Sequence, residues 1–227
     1  LRTPLASISG YAQFAAREKA GLSADMNRSL ERILSESGRM GTIVEDLLLL
    51  ARLDSGVSAP DGDTLVAPVI LESLSDAKVA APHHLWTARL DSDAATLRAR
   101  IEPGALRQAL GNLLTNARVH TPVGTSVSVT LTQADRDSLV IRVEDDGPGV
   151  PQDLGERIFD RFVRADTART GLGTDSQATR STGLGLSITD ELVRASGGSV
   201  TVDSIPGRTV FSIWLPKVDI ETAVAKS

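Results

Sequence analysis

The chain has 227 residues, 41% of them hydrophobic and 23% charged, an ordinary globular composition with room for one large domain or two small ones. Its 24 basic and 29 acidic side chains leave a net charge of −5, which argues against a general nucleic-acid binder or a polybasic membrane anchor. Cysteine is absent, which excludes disulfides, thiolate zinc sites and cysteine nucleophiles. The few aromatic residues exclude base stacking as a main theme. The longest apolar stretch, 65–71, is interrupted by Pro68 and falls far short of the roughly 18 residues a membrane helix needs.

Residues 1–56 carry a heptad. Leu1, Leu5, Ile8, Ala12 and Ala15 are spaced in fours and threes. After a break at Lys19–Leu22 the pattern resumes through Met26, Leu30, Ile33, Ser37, Met40, Val44, Leu47 and Ala51. This spacing predicts two helices with a coiled-coil seam. Ser23 is placed to cap the second, Asp25 suits its positive start, and Gly56 suits its stop. Two amphipathic helices bury little by themselves, and a second copy completing a four-helix bundle is the simplest remedy. Packing of the hairpin on the rest of its own chain would also cover the seam. The opening at Leu1, already inside the pattern, reads as a fragment of a longer protein.

The polar stretch Ser55–Thr64 predicts a domain boundary. Beyond it the pattern predicts helices over 68–80, 103–119, 154–162 and 184–195. Strands are predicted over 84–90, 96–101, 126–132, 138–145, 199–203 and 209–215, the last two forming a hairpin around Pro206 and Gly207. Antiparallel strands with helices gathered on one side make an α+β sandwich.

Three segments of this second region carry chemistry. In the strand at 138–145, Leu139, Ile141 and Val143 share a face with Asp145. A carboxylate closing an apolar row is costly unless something donates to it, and the amino group of a flat base would do so. Gly147 and Gly149 allow a close backbone approach, although an Asp-Gly turn alone accounts for the same letters. On the helix opening at Pro103, Asn112 and Asn116 lie beside the apolar stripe, with His120 a further turn along. Amide oxygens in register suit Mg²⁺, and two solvated asparagines would look the same. Thr182, Gly183, Leu184, Gly185 and Leu186 precede a helix whose free N–H groups suit a phosphate. The stretch before them, 165–182, is rich in Gly, Ser and Thr and reads as a lid over a ligand or as an inert linker.

Together these motifs resemble the cytoplasmic core of a bacterial sensor histidine kinase of two-component signalling, over residues 1 to about 216. Leu1-Arg2-Thr3-Pro4-Leu5 resembles the end of its H-box, and Asn112 to Asn116, with His120, its N-box. Asp145-Asp146-Gly147-Pro148-Gly149 resembles its G1 box, Ile158 to Phe162 its F-box, and Thr182-Gly183-Leu184-Gly185-Leu186 its G2 box. The resemblance implies a dimerisation and phosphotransfer hairpin (1–56), a linker (57–64), a Bergerat-fold ATP-binding domain (65–217) and a tail (218–227). It implies ATP and Mg²⁺ as ligands. Asp145 would read the adenine amine, Asn116 would hold Mg²⁺ with Asn112 beside it, and Gly183 and Gly185 would line the phosphates. Arg164 would meet the triphosphate, and Thr3 would position water for dephosphorylating a partner. The partners implied are a second copy and a response-regulator receiver domain, with no nucleic acid. The chain would lie on the cytoplasmic face and be tied to the membrane only through an N-terminal sensor region.

Departures from the family pattern are specific. The phosphoacceptor His and its neighbouring Glu would stand two and one positions before Leu1. The chain's three histidines, His83, His84 and His120, lie outside the hairpin, so the fragment is expected to bind ATP without labelling itself at the usual site. Val119 replaces a common Lys, Ser181 a common Gly, and Asp146 a common Asn. Two other readings compete. An ATP-hydrolysing clamp of the same fold would need a carboxylate where Asn112 stands, and a dimeric scaffold with an inactive pocket would fail to bind Mg-ATP.

Overall fold

The computed structural model describes residues 2–17, 23–54, 62–91, 93–151, 154–163 and 182–218, in two compact units, 1–54 and 55–227. The expectations for Leu1, the loop at Lys19–Leu22, Gly56, residues 57–61 of the linker, Arg164, the 165–181 segment, Ser181 and the tail from 219 onward lie outside the described residues.

The first unit is a helical hairpin of α1 (Arg2–Arg17) and α2 (Ala24–Asp54). Helix α2 has 31 residues. It opens where expected, with the Met26 N–H donating to the Ser23 hydroxyl at 3.3 Å, and Asp25 lies in its first turn. Along the predicted seam Ala12 and Ser37 are buried, while Ala15, Leu30 and Val44 are half-buried. Ile8, Met26, Ile33, Met40 and Leu47 remain 41–54% exposed, and Ala51 is exposed. Apart from Ala51, the small residues of the seam are thus at least partly covered, and most of the large ones described are not.

The second unit holds β1 (Thr64–Leu65), α3 (Val66–Ala80), β2 (Leu85–Leu90), β3 (Arg98–Ala99), α4 (Pro103–His120), β4 (Ser126–Gln133) and β5 (Ser138–Asp145). After these come α5 (Gly185–Ala195), β6 (Ser199–Ile205) and β7 (Arg208–Pro216), with 3-10 turns at Ala94–Thr96 and Gly155–Phe159. Five strands form one sheet in the order β2-β4-β5-β7-β6. The core runs between the sheet and the apolar stripes of the helices: Leu106, Leu110 and Leu113 of α4 and Ile188 of α5 are at most 1% exposed, as are Val127, Val129, Leu131, Leu139, Ile141, Val143, Ile213 and Leu215. Helix α5 ends as its Gly-Gly pair predicts. Gly197 sits at φ 77°, and the Gly198 N–H reaches back to the Val193 carbonyl at 2.9 Å, as in a Schellman motif.

Three expectations need correction. The sheet is mixed, because β2 pairs parallel to β4. A parallel pair needs a long crossover, and the 3-10 turn, β3 and α4 lie between these two strands and supply it. The strand expected over 96–101 is reduced to β3 in a separate two-stranded sheet with β1. Leu97, Ala99 and Ile101 are buried as their alternation implied, but that burial does not place them in the main sheet. The helix expected over 154–162 is a short 3-10 turn. In addition, residues 62–64, expected as linker, are already fastened to this unit. Asp63 pairs with Arg98 at 2.6 Å, Thr64 donates to the Ile101 carbonyl, and Gly62 lies against the Ile101–Glu102 backbone where no Cβ would fit.

Candidate functional site

Strand β5 delivers Asp145 as its period dictates: Leu139, Ile141 and Val143 are buried, and Asp145 closes the row at 6% exposure. The Gly147 N–H donates to its Oδ1 at 3.0 Å. Among the described residues nothing donates to Oδ2, and this oxygen is not one of the atoms sealed from solvent without a partner, so it is left as an accessible acceptor at the core's edge. Burial pushes the Asp145 carboxyl above the ordinary aspartate value. The Gly147 N–H opposes this, and the charges of Asp146 and Glu144 add to the rise. Asp146 is exposed and points away, its carboxylate accepting from the Ser126 N–H at 2.8 Å. It therefore ties the end of β5 to the start of β4.

The glycines after Asp145 are fixed by their surroundings. A Cβ on Gly147 would stand 2.6 Å from the Thr121 methyl and 2.7 Å from Asp145 Oδ1. Gly149 sits at φ 89°, with no room for a side chain against the Ile205 carbonyl. The turn is braced from the β6–β7 hairpin, where the Gly207 N–H donates to the Gly147 carbonyl at 2.9 Å and the Val150 N–H to the Ser204 hydroxyl at 2.8 Å.

Helix α4 presents Asn112 and Asn116, both half-buried, with His120 exposed at its end. The Asn112 amide donates to the Gly185 carbonyl at 2.9 Å, which leaves its carbonyl oxygen as an acceptor. A Cβ on Gly185 would make only ordinary van der Waals contact with that amide. The expected N-box and G2 residues therefore meet directly. Thr182 accepts from the Leu184 N–H at 3.3 Å, Leu184 is fully buried and Leu186 is half-buried. Gly183 sits at φ 70°, packed on the Phe162 backbone, and its carbonyl accepts from the Phe162 N–H at 2.8 Å. Phe159 meets Phe211 edge-on, with ring centroids 6.4 Å apart, which anchors the F-box turn on the core. The Thr3 side chain and Arg164 lie outside the described positions.

One buried polar residue at this site escaped the sequence reading. Thr209 lies directly across from Asp145 in the β5–β7 ladder, is 4% exposed, and shares a hydrogen bond with the Ser204 hydroxyl at 3.0 Å. It heads the row Phe211, Ile213, Leu215 just as Asp145 closes its own row, so the same signal was present on β7. Thr121 was also missed; it matters through its contact with a residue distant in sequence, which periodicity does not show.

The comparisons with known proteins converge on one family. The family described as "Histidine kinase-, DNA gyrase B-, and HSP90-like ATPase" matches residues 101–219, and the "His Kinase A (phospho-acceptor) domain" matches residues 1–56. The chain is 41% identical over 216 residues to the probable sensor histidine kinase TcrY of Mycobacterium tuberculosis, covering 95% of this chain and 43% of that protein. It is 37% identical over 228 residues to the sensor histidine kinase TrcS of the same organism, covering 98% of this chain and 43% of that protein. The chain thus spans less than half the length of these curated relatives. Among solved structures, full-length ShkA in complex with AMPPNP superposes with a TM-score of 0.78 at 26% identity, covering 96% of this chain and 44% of that one. The mycobacterial sensor histidine kinase MprB superposes at 0.59 and 25% identity, covering 70% of this chain and 99% of that one. The chain belongs to the bacterial sensor histidine kinases of two-component signalling, with a His Kinase A domain ahead of an ATPase domain of the histidine kinase, gyrase B and HSP90 type.

Proposed function

We propose that this chain binds Mg-ATP and passes its γ-phosphoryl to a histidine and then to an aspartate on a response-regulator receiver domain. The observation that carries this reading is Asp145, a buried carboxylate with one oxygen satisfied by Gly147 and the other left to accept from an adenine amine. The glycines at 147 and 149 have no room for side chains against Thr121 and Ile205, so they let the turn close tightly beside Asp145.

Asn112 and Asn116 fit Mg²⁺. The Asn112 NH₂ is spent on Gly185, and the amide oxygen that remains is the hard donor this cation takes. Asn116, one turn on, offers a second. The ion would neutralise phosphate charge, which phosphoryl transfer chiefly requires along with positioning. The turn from Thr182 to Leu186 supplies N–H groups at the start of α5 for the phosphates, and His120, Arg164 and the backbone of Gly183 and Gly185 complete the proposed contacts. The attacking histidine forms its N–P bond as the γ-phosphoryl's bond to the β-phosphate oxygen breaks, and ADP leaves. The receiver aspartate then takes the phosphoryl from the histidine, and Thr3 would orient water for removing it. The exposed large residues of the hairpin seam favour a homodimer through residues 1–56. No described helix is long and apolar enough to cross a membrane, and in the whole protein the core is proposed to lie on the cytoplasmic face.

The assay uses a chain with a His-Glu dipeptide added ahead of Leu1, the placing that the H-box pattern gives an acceptor histidine. With γ-labelled ATP and Mg²⁺ the label is expected on the protein, and Asp145→Asn is expected to abolish it. Labelling that survives Asp145→Asn overturns the assignment of the base reader. Steady ATP turnover without protein labelling would favour a hydrolase instead.

A further inference from the structure

His84 precedes β2, far in sequence from every motif discussed above, and is 8% exposed. Its ring stacks on Trp86 with centroids 5.7 Å apart. Trp86 is itself fixed, donating from its indole to the Ala81 carbonyl at 2.9 Å. The His84 N–H donates to the same carbonyl at 3.2 Å, so both backbone and ring are held in one pose.

The ring's Nε2 lies 3.1 Å from the Thr121 hydroxyl oxygen. That hydroxyl donates its single proton to the Ala117 carbonyl at 2.6 Å, so it accepts from His84, and Nε2 carries the hydrogen. Thr121 follows the last residue of α4, the helix of Asn112 and Asn116. Its methyl occupies the space a Cβ on Gly147 would need, and Gly147 is the residue that donates to Asp145. Contacts therefore run without a gap from His84 through Thr121 and Gly147 to Asp145. The loop before β4 is tied to the same place, the Gly124 N–H donating to the His83 carbonyl at 3.1 Å.

We propose that His84 is a positioning residue of the adenine site, holding the end of α4 against the Asp145–Gly147 turn through Thr121. This rests on the reading of Asp145 as the base reader. The device needs a donor at Nε2 and not a charge, since the neutral Nε2–H tautomer and the imidazolium both supply one.

The test compares the affinities of the 227-residue chain for Mg-ATP and for Mg-inosine triphosphate, in which a carbonyl replaces the adenine amine. Wild type is expected to prefer ATP. His84→Phe keeps the stack and removes the donor, and is expected to lower the preference about three- to tenfold, the scale of one lost hydrogen bond. His84→Gln, which returns a donor at similar reach, is expected to restore most of it. Thr121→Val keeps the methyl against Gly147 and loses the hydroxyl. It should reproduce the His84→Phe effect, and adding His84→Phe to it should change nothing further, the non-additivity of two groups acting as one. If His84→Phe does not fold, Thr121→Val alone decides. An unchanged preference in these variants, or simple additivity between them, overturns the proposal while Asp145→Asn still abolishes the preference. If Asp145→Asn leaves the preference intact, the reading of Asp145 fails and the proposal falls with it.

Discussion

Asp145 is costly to the empty fold. Burial raises its carboxyl above the ordinary aspartate value, so the folded state holds this proton more tightly than the unfolded chain does. Between the ordinary and the raised value the folded state binds more protons, and stability falls as pH rises through that window. The contribution is most favourable at acid pH and is lost at neutral pH, where the proposed reading uses the carboxylate as an acceptor. Asp145→Asn removes this dependence. Without nucleotide, the variant's melting temperature relative to wild type is expected to climb from acid to neutral pH. A difference that stays flat across that range would show that Asp145 is not strained by burial. On the proposed reading the residue gives up stability for binding, a pattern expected where local rules are broken at functional sites.

Asn112 joins helix α4 to α5 by two side-chain hydrogen bonds. The Asn112 amide donates to the Gly185 carbonyl at 2.9 Å and to the Thr189 hydroxyl at 3.4 Å. Asn112→Asp keeps the shape and replaces a donor by an acceptor facing a carbonyl. It is expected to lower stability by about 0.5–1.5 kcal/mol, the net worth of a lost hydrogen bond, read as a shift in the denaturant midpoint at neutral pH. An unchanged midpoint would mean that this contact is not needed to join the two helices. The physical consequence is specific: an amide suits the backbone of α5 here, and the carboxylate expected of a hydrolase would face repulsion.

The same elements show which parts of the site were legible in the chain and which were not. Asp145 could be read because a strand's period of two put it in an apolar row, and Asn112 and Asn116 because a helix's period sets them beside a leucine stripe. Thr209 carried the same signal as Asp145 but sits one hairpin away, and only the ladder places it opposite. His84 and Thr121 are 37 positions apart; no local period links them, and their meeting depends on how β2 and the end of α4 are brought together.

For the whole molecule, the hairpin's uncovered seam is the feature that matters most. Five large apolar residues 41–54% exposed are a burden to a lone hairpin, and a second copy would cover them. The melting temperature is therefore expected to rise with protein concentration, as it does when association stabilises the folded state. Ile33→Asp is expected to abolish that dependence and halve the mass seen by light scattering. A monomer with a concentration-independent melt would show that the seam is covered in some other way.

By itself the sequence determined the two-part plan, the 31-residue helix with its Ser23 cap, and the glycine and carboxylate motifs, because each follows from a local period or a local backbone requirement. Only the tertiary structure decided the parallel pairing of β2 with β4, the assignment of β3 to a separate sheet, and the meeting of Asn112 with Gly185, of Asp145 with Thr209 and of His84 with Thr121. Those depend on crossovers and packing between distant segments. Burial patterns show which face turns inward but not which neighbour it meets.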